Sequence, residues 1–569
     1  SGQPARAPHI TDPERGASRA HARHSSAQSE RVHPSAGAPF KQIRWGLVKK
    51  LAGYDQALRC GIVVSSGATP ANDTFMTAVS RQTFLNGPPQ PLVVVRPLPK
   101  ADVFELYQCL IINDGPSFLL ESGNGTQATA RYSFIGSHPY LTLTGGAHDH
   151  RVETDGHTTT SPGSVFDAFR QAFADATIPR PDGLPPFFGG AVGYLSYDLV
   201  RSFESLPTLA ADDLGLPDLH MAFFDLVAAV DHHTNQLYLM YCPPLSRFRA
   251  EPREKLFREG CDRLAELEAR LASAQPPRAG LTRPRHTSFV PSQSRDAYTA
   301  RVRRCKDYIG AGDIYQANLS HRFTLDLDPA WSSSDRNRYA VDLYGRLRRV
   351  NPSPFSGLVQ FPELCLVSSS PERLVRLSGS RADTRPIAGT RPRGDGQPQD
   401  LTLRAELLAS PKERAEHVML VDLERNDLGK VCRYGSVRVD EFMTIEQYSH
   451  VSHLVSEVVG TLQPGTSPFD LVRAVFPGGT ITGVPKLRCM EIIEELEPVR
   501  RGLYTGALGY FSWSGDLDLN ILIRTLVLTK NRGYLQVGAG IVADSDPDRE
   551  YDETLAKAGA FFNILEADC

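Results

Sequence analysis

Apolar and polar positions after about residue 91 follow two periodicities. Short runs of β-branched and aromatic residues indicate strands, among them VVVRPL, YLTLTGG, HMAFFDLVAAV, GALGYFSW and YLQVGAG. Longer segments with helical spacing, such as DVFELYQCLIIND and the segment that begins at Ser294, lie between some of these strands. Because strands and helices do not alternate strictly, the pattern predicts an α+β fold with large antiparallel sheets.

The same patterning divides the chain into three parts. Residues 1–75 lack aliphatic periodicity and are rich in Arg, His, Ser, Ala and Pro, which predicts a disordered extension. Residues 76–285 form the predicted N-terminal domain, and residues 287–569 form the predicted C-terminal domain, which carries most of the candidate chemistry. The stretch ASAQPPRAGLTRPRH, at about 272–286, is the predicted linker between these domains.

Composition restricts the classes of function. The 569 residues are 41% hydrophobic and 22% charged, and the formal net charge of −3 leaves no basic excess for binding nucleic acid or an anionic membrane. No apolar run is long enough to span a membrane. The nine cysteines are scattered without a CxxC pair, so we expect reduced thiols and a cytoplasmic location rather than a zinc or disulfide framework.

Two acidic pairs in the last third of the chain carry the strongest candidate chemistry. Glu413 with Glu416, and Glu550 with Glu553, are each spaced i, i+3, which places both carboxylates of a pair on one face of a helix. Four carboxylates that converge from two helices cannot all stay ionised without a cation, and an oxygen-only ligand set favours Mg²⁺ over zinc. Either pair alone is also typical of a solvated helix face.

Glycine-rich and basic motifs accompany the acidic pairs. They are PIAGT at 386–390, PGGTITGVPK at 477–486, GALGY at 506–510, LIRT at 522–525 and GAG at 538–540. Glycines let backbone N–H groups approach an anion, and Arg or Lys side chains neutralise carboxylates. Together these motifs predict a pocket for a small polyanion.

Several long motifs in a fixed order resemble the synthase component I family of chorismate-utilising enzymes, which includes anthranilate synthase and aminodeoxychorismate synthase. The resemblance extends from about Pro91 to Leu565 and rests on PIAGTRPRG, AEHVMLVDLERNDLGKV, YSHVSHLVSEVVG, PGGTITGVPKLRCMEIIEELEP and REYDETLAKA. It implies antiparallel sheets packed as a sandwich with flanking helices. It also implies an enzyme that acts on chorismate with Mg²⁺.

The resemblance implies roles for individual residues. Glu416 and Glu553 match direct Mg²⁺ ligands, and Glu413 and Glu550 match carboxylates beside them. Other residues match positions that hold the ring and enolpyruvyl carboxylates of chorismate: Gly389, Thr390, Tyr510, Arg524, Gly538, Gly540 and Lys557.

Two further residues are implied to be catalytic. His453 matches a catalytic histidine, and an unperturbed imidazole titrates close enough to neutral pH to act as a general acid or base. Thr480 is the second predicted catalytic residue, although a threonine in a turn before a helix can equally serve as a helix cap. Without the resemblance, a core position for His453 is the simpler interpretation.

Gln316 indicates which nucleophile the enzyme uses. In the water-using isochorismate and salicylate synthases the matching position holds a lysine, which can activate water as a general base. A glutamine cannot take up a proton. Because ammonia needs less activation than water, Gln316 favours amination.

The carbon that receives the nitrogen is less clear from the sequence. GDIYQANLS, NPSPFSG, SSSPERL, PGGTITG and DLDLNILIRT resemble the aminodeoxychorismate branch, which leaves nitrogen at C4. That branch often carries a lysine in PIKGT as a covalent nucleophile, whereas this chain has Ala388, the usual residue of anthranilate synthase. We expect aminodeoxychorismate synthase component I, which supplies p-aminobenzoate and folate synthesis, with anthranilate synthase component I as the alternative.

A candidate tryptophan pocket also follows from the resemblance. Glu121 and Ser122 in LLES, with Asn351 and Pro352 in NPSPF, match the region where anthranilate synthases bind tryptophan as an inhibitor. In the aminodeoxychorismate branch similar pockets are structural. A strand end with a cap is the interpretation that we favour for LLES.

The sequence predicts a partner as well as a substrate. There is no Gly-x-Cys-x-Gly nucleophile turn of a glutaminase, so ammonia would come from a separate glutamine amidotransferase subunit or from free ammonium. A non-catalytic metal-binding scaffold of the same fold is a distant alternative, because a scaffold has no need of the complete set of site residues. Metal-dependent hydrolysis is disfavoured by the lack of a His-carboxylate ligand cluster.

Overall fold

The computed structural model of the protein describes residues 79–566, apart from 112–114, 124–129, 155, 175, 274–287, 394–395 and 448–450. The predicted extension 1–75 lies outside the described residues, and the predicted linker is described only at 272 and 273. The described residues belong to one compact unit, Ile62–Cys569.

The described strands are from two to eleven residues long. Their bounds are β1 Leu92–Pro97, β2 Ser117–Glu121, β3 Tyr132–Ser137, β4 Leu141–Gly145, β5 Asp149–Thr154, β6 His157–Pro162, β7 Gly190–Leu195, β8 Leu219–Phe224, β9 Leu226–Asp231, β10 Gln236–Tyr241, β11 Val290–Pro291, β12 Gln316–Asp326, β13 Phe355–Gln360, β14 Cys365–Ser370, β15 Arg373–Ser378, β16 Arg381–Thr384, β17 Ile387–Pro392, β18 Arg438–Gln447, β19 Val451–Thr461, β20 Gly483–Val484, β21 Ala507–Ser512, β22 Leu517–Ile521, β23 Thr525–Leu528 and β24 Arg532–Ile541.

The helices lie between groups of strands. Their bounds are α1 Arg81–Asn86, α2 Val103–Leu110, α3 Val165–Phe173, α4 Leu245–Ala250, α5 Arg253–Ser273, α6 Arg295–Ala311, α7 Ser333–Val350, α8 Gln397–Ala409, α9 Pro411–Gly429, α10 Pro468–Val475, α11 Lys486–Leu496 and α12 Pro547–Glu566. None of the described helices is long and apolar enough to cross a bilayer.

The strands form two twelve-stranded sheets. One has the order β1-β10-β9-β3-β2-β13-β14-β23-β24-β12-β11, with β20 also paired to β12. The other has the order β17-β19-β16-β15-β22-β21-β7-β8-β4-β5-β6, with β18 also paired to β19. Neighbouring strands pair antiparallel, for example β12 with β24 and β17 with β19. The predicted α+β fold with large antiparallel sheets and flanking helices is confirmed.

Both sheets combine strands from the two sides of the predicted linker. In the first sheet Leu119 of β2 lies opposite Leu358 of β13, and in the second sheet Gly193 of β7 lies opposite Gly509 of β21. A single buried apolar cluster contains residues from both sides, including Phe118 and Leu508. The two halves of the sequence therefore share one core.

The two helices that carry the acidic pairs pack against different sheets. α12 packs against β24 of the first sheet, whereas α9 packs against β17 and β19 of the second. The acidic pairs therefore approach a common space from opposite layers.

Candidate active site

A cavity of about 600 Å³ brings together most of the predicted site residues. β12 and β24 contribute to its wall from the first sheet, β17 and β19 from the second, and α9 and α12 from the flanking helices. The predicted site residues that line it are Gln316, Gly389, Glu413, Glu416, His453, Thr480, Arg524, Gly538, Gly540, Glu550, Glu553 and Lys557.

α9 begins at a cap that places its acidic pair at the cavity. Ser410 Oγ accepts a hydrogen bond from the Glu413 backbone N–H at 3.4 Å, and a proline follows in the first turn. The Glu413 carboxylate accepts from Arg391 Nη1 at 3.2 Å, and the Glu416 carboxylate accepts from Gln316 Nε2 at 3.0 Å. These contacts hold one carboxylate against β17 and the other against β12.

α12 contributes the second acidic pair and a lysine. Glu550 is 8% exposed, whereas the side chain of Glu553 is 52% exposed at the cavity rim. One turn further along, Lys557 Nζ lies 2.8 Å from the Glu553 carboxylate and donates to the Gly538 carbonyl at 2.9 Å. Lys557 therefore joins α12 to β24 and adds a positive charge to the cavity wall.

Two of the four carboxylates, Glu416 and Glu550, have raised pKa values. Burial raises the pKa of Glu416, and the charges of Glu413 and Glu553 raise it further. Burial and Glu553 likewise raise the pKa of Glu550. In the described part of the chain, no group of three or more His, Cys, Asp or Glu side chains is arranged to hold a metal ion by itself. The four carboxylates line one cavity.

Gly389 occupies a position that favours glycine. Its φ of +68° lies in the left-handed region, and it sits at a bulge in the pairing of β17 with β19. A Cβ there would come within 2.8 Å of Glu413 Oε2 and within 2.8 Å of Leu407 Cδ1. The side chain of Thr390, the next predicted site residue, lies outside what the structure describes.

Arg524 and His453 both line the cavity. Arg524 connects β22 to β23 with a φ of +49°, a strained conformation for a residue with a side chain. His453 is 2% exposed, and burial together with the nearby Arg524 lowers its pKa to about 3. The imidazole is therefore neutral at neutral pH. The prediction of His453 as a general acid or base used the unperturbed pKa of an imidazole, which burial lowers here.

Glu372 is a site residue that the sequence analysis did not assign. It lines the same cavity and is 6% exposed. Burial raises its pKa to about 7, although the charge of Arg524 favours the ionised form. Glu372 lies in the motif SSSPERL, two residues after the end of a buried strand. That position was the signal in the sequence that could have identified it.

Gln316 and Asn318 present amide side chains to the cavity from β12. Gln316 Oε1 and Asn318 Oδ1 are buried and accept no hydrogen bond from any residue in the described part of the chain. The paired strand β24 has glycines at this level, and a Cβ on Gly540 would lie 2.7 Å from Gln316 Nε2. The glycines of the GAG motif thus leave space for the amides.

Tyr510 does not line this cavity, which corrects its predicted role. Its ring packs against Phe187 at 4.9 Å and Phe134 at 5.4 Å between ring centroids, and it borders a second cavity of about 560 Å³. Tyr504, in the turn before β21, lines the first cavity instead. Its hydroxyl is 2.7 Å from the position that a Cβ would take on Gly538.

The residues of the candidate tryptophan pocket divide between the two cavities. Glu121 and Ser122 border the second cavity, whereas Asn351 and Pro352 border the first. The four residues therefore do not line one pocket, because the chain crosses from one cavity to the other along NPSPF. Pro354 lines both cavities.

The polar groups of LLES are engaged within the protein. The Glu121 carboxylate accepts from Tyr344 Oη at 2.6 Å and from Arg348 Nε at 3.0 Å. Ser122 Oγ donates to the Tyr132 carbonyl at 2.6 Å. These contacts support the structural interpretation of this strand end.

Comparison with known proteins decides the family. A family model described as chorismate binding enzyme matches residues 115–563. The chain belongs to this family. Its curated relatives are chorismate-utilising synthases, and the chain is an enzyme of this group. The predicted family is confirmed.

The relatives include both of the activities that the sequence left open. The chain is 41% identical over 472 residues to aminodeoxychorismate synthase component 1 of Bacillus subtilis, covering 83% of this chain and 96% of the relative. It is 45% identical over 454 residues to anthranilate synthase component 1 of Thermus thermophilus, covering 79% of this chain and 92% of the relative.

Solved structures share the fold. Anthranilate synthase component I from Streptococcus pneumoniae TIGR4 matches with a TM-score of 0.64 and 31% identity, over 76% of this chain and 92% of that chain. The menaquinone-specific isochorismate synthase MenF from Escherichia coli matches with a TM-score of 0.60 and 17% identity, over 84% of this chain and 95% of that chain, which shows the fold alone.

Proposed function

We propose that the protein is aminodeoxychorismate synthase component I, which replaces the C4 hydroxyl of chorismate with an amino group. The observation that carries the amination is Gln316. Its amide donates to Glu416 inside the cavity and offers no group that can take a proton from water. A nucleophile that needs no general base, ammonia, suits this cavity better than water.

The charges of the cavity suit a dianionic substrate. Arg391, Lys412, Arg524 and Lys557 line it and provide four positive charges. Arg524 lies near enough to Glu372 for their charges to interact, while Lys557 is held by the Gly538 carbonyl. These groups would bind and orient the two carboxylates of chorismate.

The carboxylates of α9 and α12 are suited to binding Mg²⁺. Burial and, to a smaller extent, neighbouring carboxylates raise the pKa values of Glu416 and Glu550, and a divalent cation would stabilise their ionised forms. Mg²⁺ keeps several waters and needs only one or two protein carboxylates, so Glu416 and Glu553 are the proposed ligands. When bound, the ion would neutralise a substrate carboxylate and draw electrons from the ring.

Glu372 is the proposed acid for the departing hydroxyl. With a pKa of about 7 it keeps a proton to give near neutral pH, which the neutral His453 cannot do. In the net reaction the nitrogen lone pair forms the C–N bond, the C4–O bond breaks, and the hydroxyl takes the proton of Glu372 and leaves as water. The new ammonium group then loses one proton, which restores Glu372.

Anthranilate synthase component I is the second candidate function. Ala388 lines the cavity and is 5% exposed, so no amine is present there to form a covalent adduct with the ring. An aminodeoxychorismate synthase with this alanine must place nitrogen at C4 without that adduct. The scattered motifs of the aminodeoxychorismate branch and the 41% identity to the Bacillus subtilis enzyme over 96% of its length support the C4 assignment.

A separate glutamine amidotransferase subunit is the proposed source of ammonia. The two relatives are both named component 1 of their synthases, which implies a further component. Delivery from a bound subunit would keep NH₃ from protonation in bulk water.

The full chain incubated with chorismate, Mg²⁺ and ammonium tests the assignment. We expect p-aminobenzoate only when an aminodeoxychorismate lyase is added, detected by mass and fluorescence. Anthranilate and pyruvate formed without the lyase would establish the second candidate. A non-catalytic scaffold would leave chorismate unconverted. Its Glu416→Gln variant would also bind the partner as the wild-type chain does.

A further inference from the structure

A buried ion pair lies behind the wall of the catalytic cavity. Arg501 is 2% exposed and its partner Glu497 is 4% exposed. Arg501 does not line the catalytic cavity but borders a small neighbouring cavity of about 20 Å³. Its Cζ lies 5.0 Å from the ring centroid of Tyr197 and 5.6 Å from that of Tyr504. Replacing a buried pair of this kind by apolar side chains is often neutral or stabilising, so stability alone does not account for it.

Arg501 connects two segments of the catalytic cavity wall. Its Nη2 donates to the Asn318 carbonyl of β12 at 2.6 Å, and its Nη1 donates to the Ile481 carbonyl at 2.9 Å. Asn318 and Ile481 both line the catalytic cavity, and Ile481 directly follows Thr480 in the PGGTITG motif. Arg501 therefore holds β12 against the turn that carries Thr480.

The other hydrogen bonds of Arg501 reach a third segment of the wall. Nε donates to Glu497 Oε2 at 3.0 Å, and Nη2 donates to Glu497 Oε1 at 2.8 Å. Nη1 also donates to Thr505 Oγ1 at 3.3 Å, next to Tyr504, which lines the catalytic cavity. The five N–H donors of the guanidinium thus have five acceptors.

Glu497 extends the connection to β24. Its Oε1 accepts from the Ser320 N–H at 2.8 Å and from Ser320 Oγ at 2.9 Å. Ser320 Oγ accepts in turn from Gln536 Nε2 at 2.8 Å, and Gln536 lines the catalytic cavity. The Arg501–Glu497 pair therefore joins wall residues of β12, of β24 and of the turns before β20 and β21.

We propose that Arg501 is a positioning residue for the amination site. The proposal rests on the proposed function and adds a residue outside the cavity that sets the geometry of the wall. A guanidinium directs five N–H donors along fixed directions, whereas a lysine has three donors on a flexible stem and cannot make all five bonds. The basic side chains that would bind the carboxylates of chorismate receive no hydrogen bond from this pair. Arg501 should therefore affect the reaction rate more than substrate binding.

The first test is Arg501→Lys, which keeps a positive charge beside Glu497 and loses two of the five N–H donors. Rates of chorismate consumption are measured at saturating Mg²⁺ and ammonium, below the unfolding transition of each protein and per folded chain. Lower stability by itself then changes no rate. We expect kcat to fall about tenfold to hundredfold, the effect of displacing a catalytic wall by about 1 Å, with the KM for chorismate within about twofold of wild type.

Arg201→Lys is the matched control. Arg201 Nη2 lies 2.5 Å from Glu494, three residues before Glu497, and Arg201 also donates to Asp198 and to the Pro207 carbonyl. None of these partners lines the catalytic cavity. The control removes donors from a neighbouring ion pair, so its kcat per folded chain should equal that of wild type.

Ser320→Ala tests the same connection if Arg501→Lys does not fold. It removes the hydroxyl between Glu497 and Gln536 and leaves the ion pair intact, so we expect kcat to fall about threefold to tenfold at unchanged KM. A kcat within about twofold of wild type in Arg501→Lys would overturn the proposal, as would that result in Ser320→Ala where Arg501→Lys does not fold. An equal loss in Arg201→Lys would also overturn it.

The proposed function and the role of Arg501 can fail separately. The identity of the product that the wild-type chain forms tests the proposed function. The ratio of rates between the variants tests Arg501 whichever carbon receives the nitrogen, so the two failures are distinguishable.

Discussion

Glu372 determines how the proposed reaction should depend on pH. Because the protonated carboxyl is the active form and its pKa is about 7, the rate at constant NH₃ concentration should fall as pH rises through about 7. Glu372→Gln should lower kcat by about 10²–10⁴-fold, the usual range for a lost general acid, and should remove this pH limb. Pre-steady-state and steady-state rates over pH 6–9, about the range where both forms exist, would check this. An unchanged profile in Glu372→Gln would exclude the residue as the acid.

At the level of residues, the sequence motifs predict which side chains line the cavity better than they predict the pKa values of those side chains. The acidic pairs, Arg524 and Lys557 all reach the cavity, because helical and strand periodicity decides which face a side chain takes. The depressed pKa of His453 was not predictable, since it depends on burial and on Arg524, which is distant in sequence. Tyr510 was assigned to the site because the family resemblance matched it to a chorismate-holding position, whereas Tyr504 is the tyrosine that lines the cavity.

At the level of elements, α9 and α12 should be coupled by a divalent cation. Mg²⁺ that binds only the folded chain should stabilise it by about 2.7 kcal/mol at about 100 times its Kd, seen as a rise in Tm. Glu416→Gln and Glu553→Gln should each abolish most of this rise and lower turnover by about 10²-fold or more. Glu406→Gln, on the exposed face of α8, is the matched control. A full Mg²⁺ response in both site variants would show that the cation binds elsewhere.

α9 also carries a buried acid outside the cavity. Burial and the neighbouring Asp427 raise the pKa of Glu424 above its ordinary value. The folded chain then binds a proton that the unfolded chain releases, so the free energy of unfolding should fall as pH rises from about 4.5 through the folded-state pKa. The free energy of unfolding of Glu424→Gln minus that of wild type should therefore be higher at alkaline pH than at low pH, by roughly 1 kcal/mol or more. Denaturant unfolding at several pH values checks this, and parallel curves for the two proteins would contradict it.

At the level of the whole molecule, the shared sheets make the two halves depend on each other. A fragment of residues 287–569 lacks β2 beside β13 and β7 beside β21, so we expect it to lose cooperative unfolding and near-ultraviolet dichroism. Co-expression with residues 76–285 should restore both. A cooperatively folded fragment on its own would contradict the account of a shared core.

The sequence predicted the fold class from local periodicity and from family motifs, but it could not predict which strands pair. Pairing of β7 with β21 joins residues more than 300 positions apart in the chain, for example Gly193 with Gly509, and local patterns carry no register between them. For the same reason the division of LLES and NPSPF between two cavities was not predictable. It depends on the pairing of β13 with β2.

The most direct test of the central claim is the position of the nitrogen atom in the first product. The full chain would be given ¹³C-labelled chorismate, Mg²⁺ and ¹⁵N-ammonium, and the ¹³C–¹⁵N coupling would be read by NMR without any added lyase. The account predicts coupling at C4 of a ring that still carries its enolpyruvyl group. Coupling at C2 of an aromatic ring, with free pyruvate in equal amount, would contradict it and make the protein an anthranilate synthase.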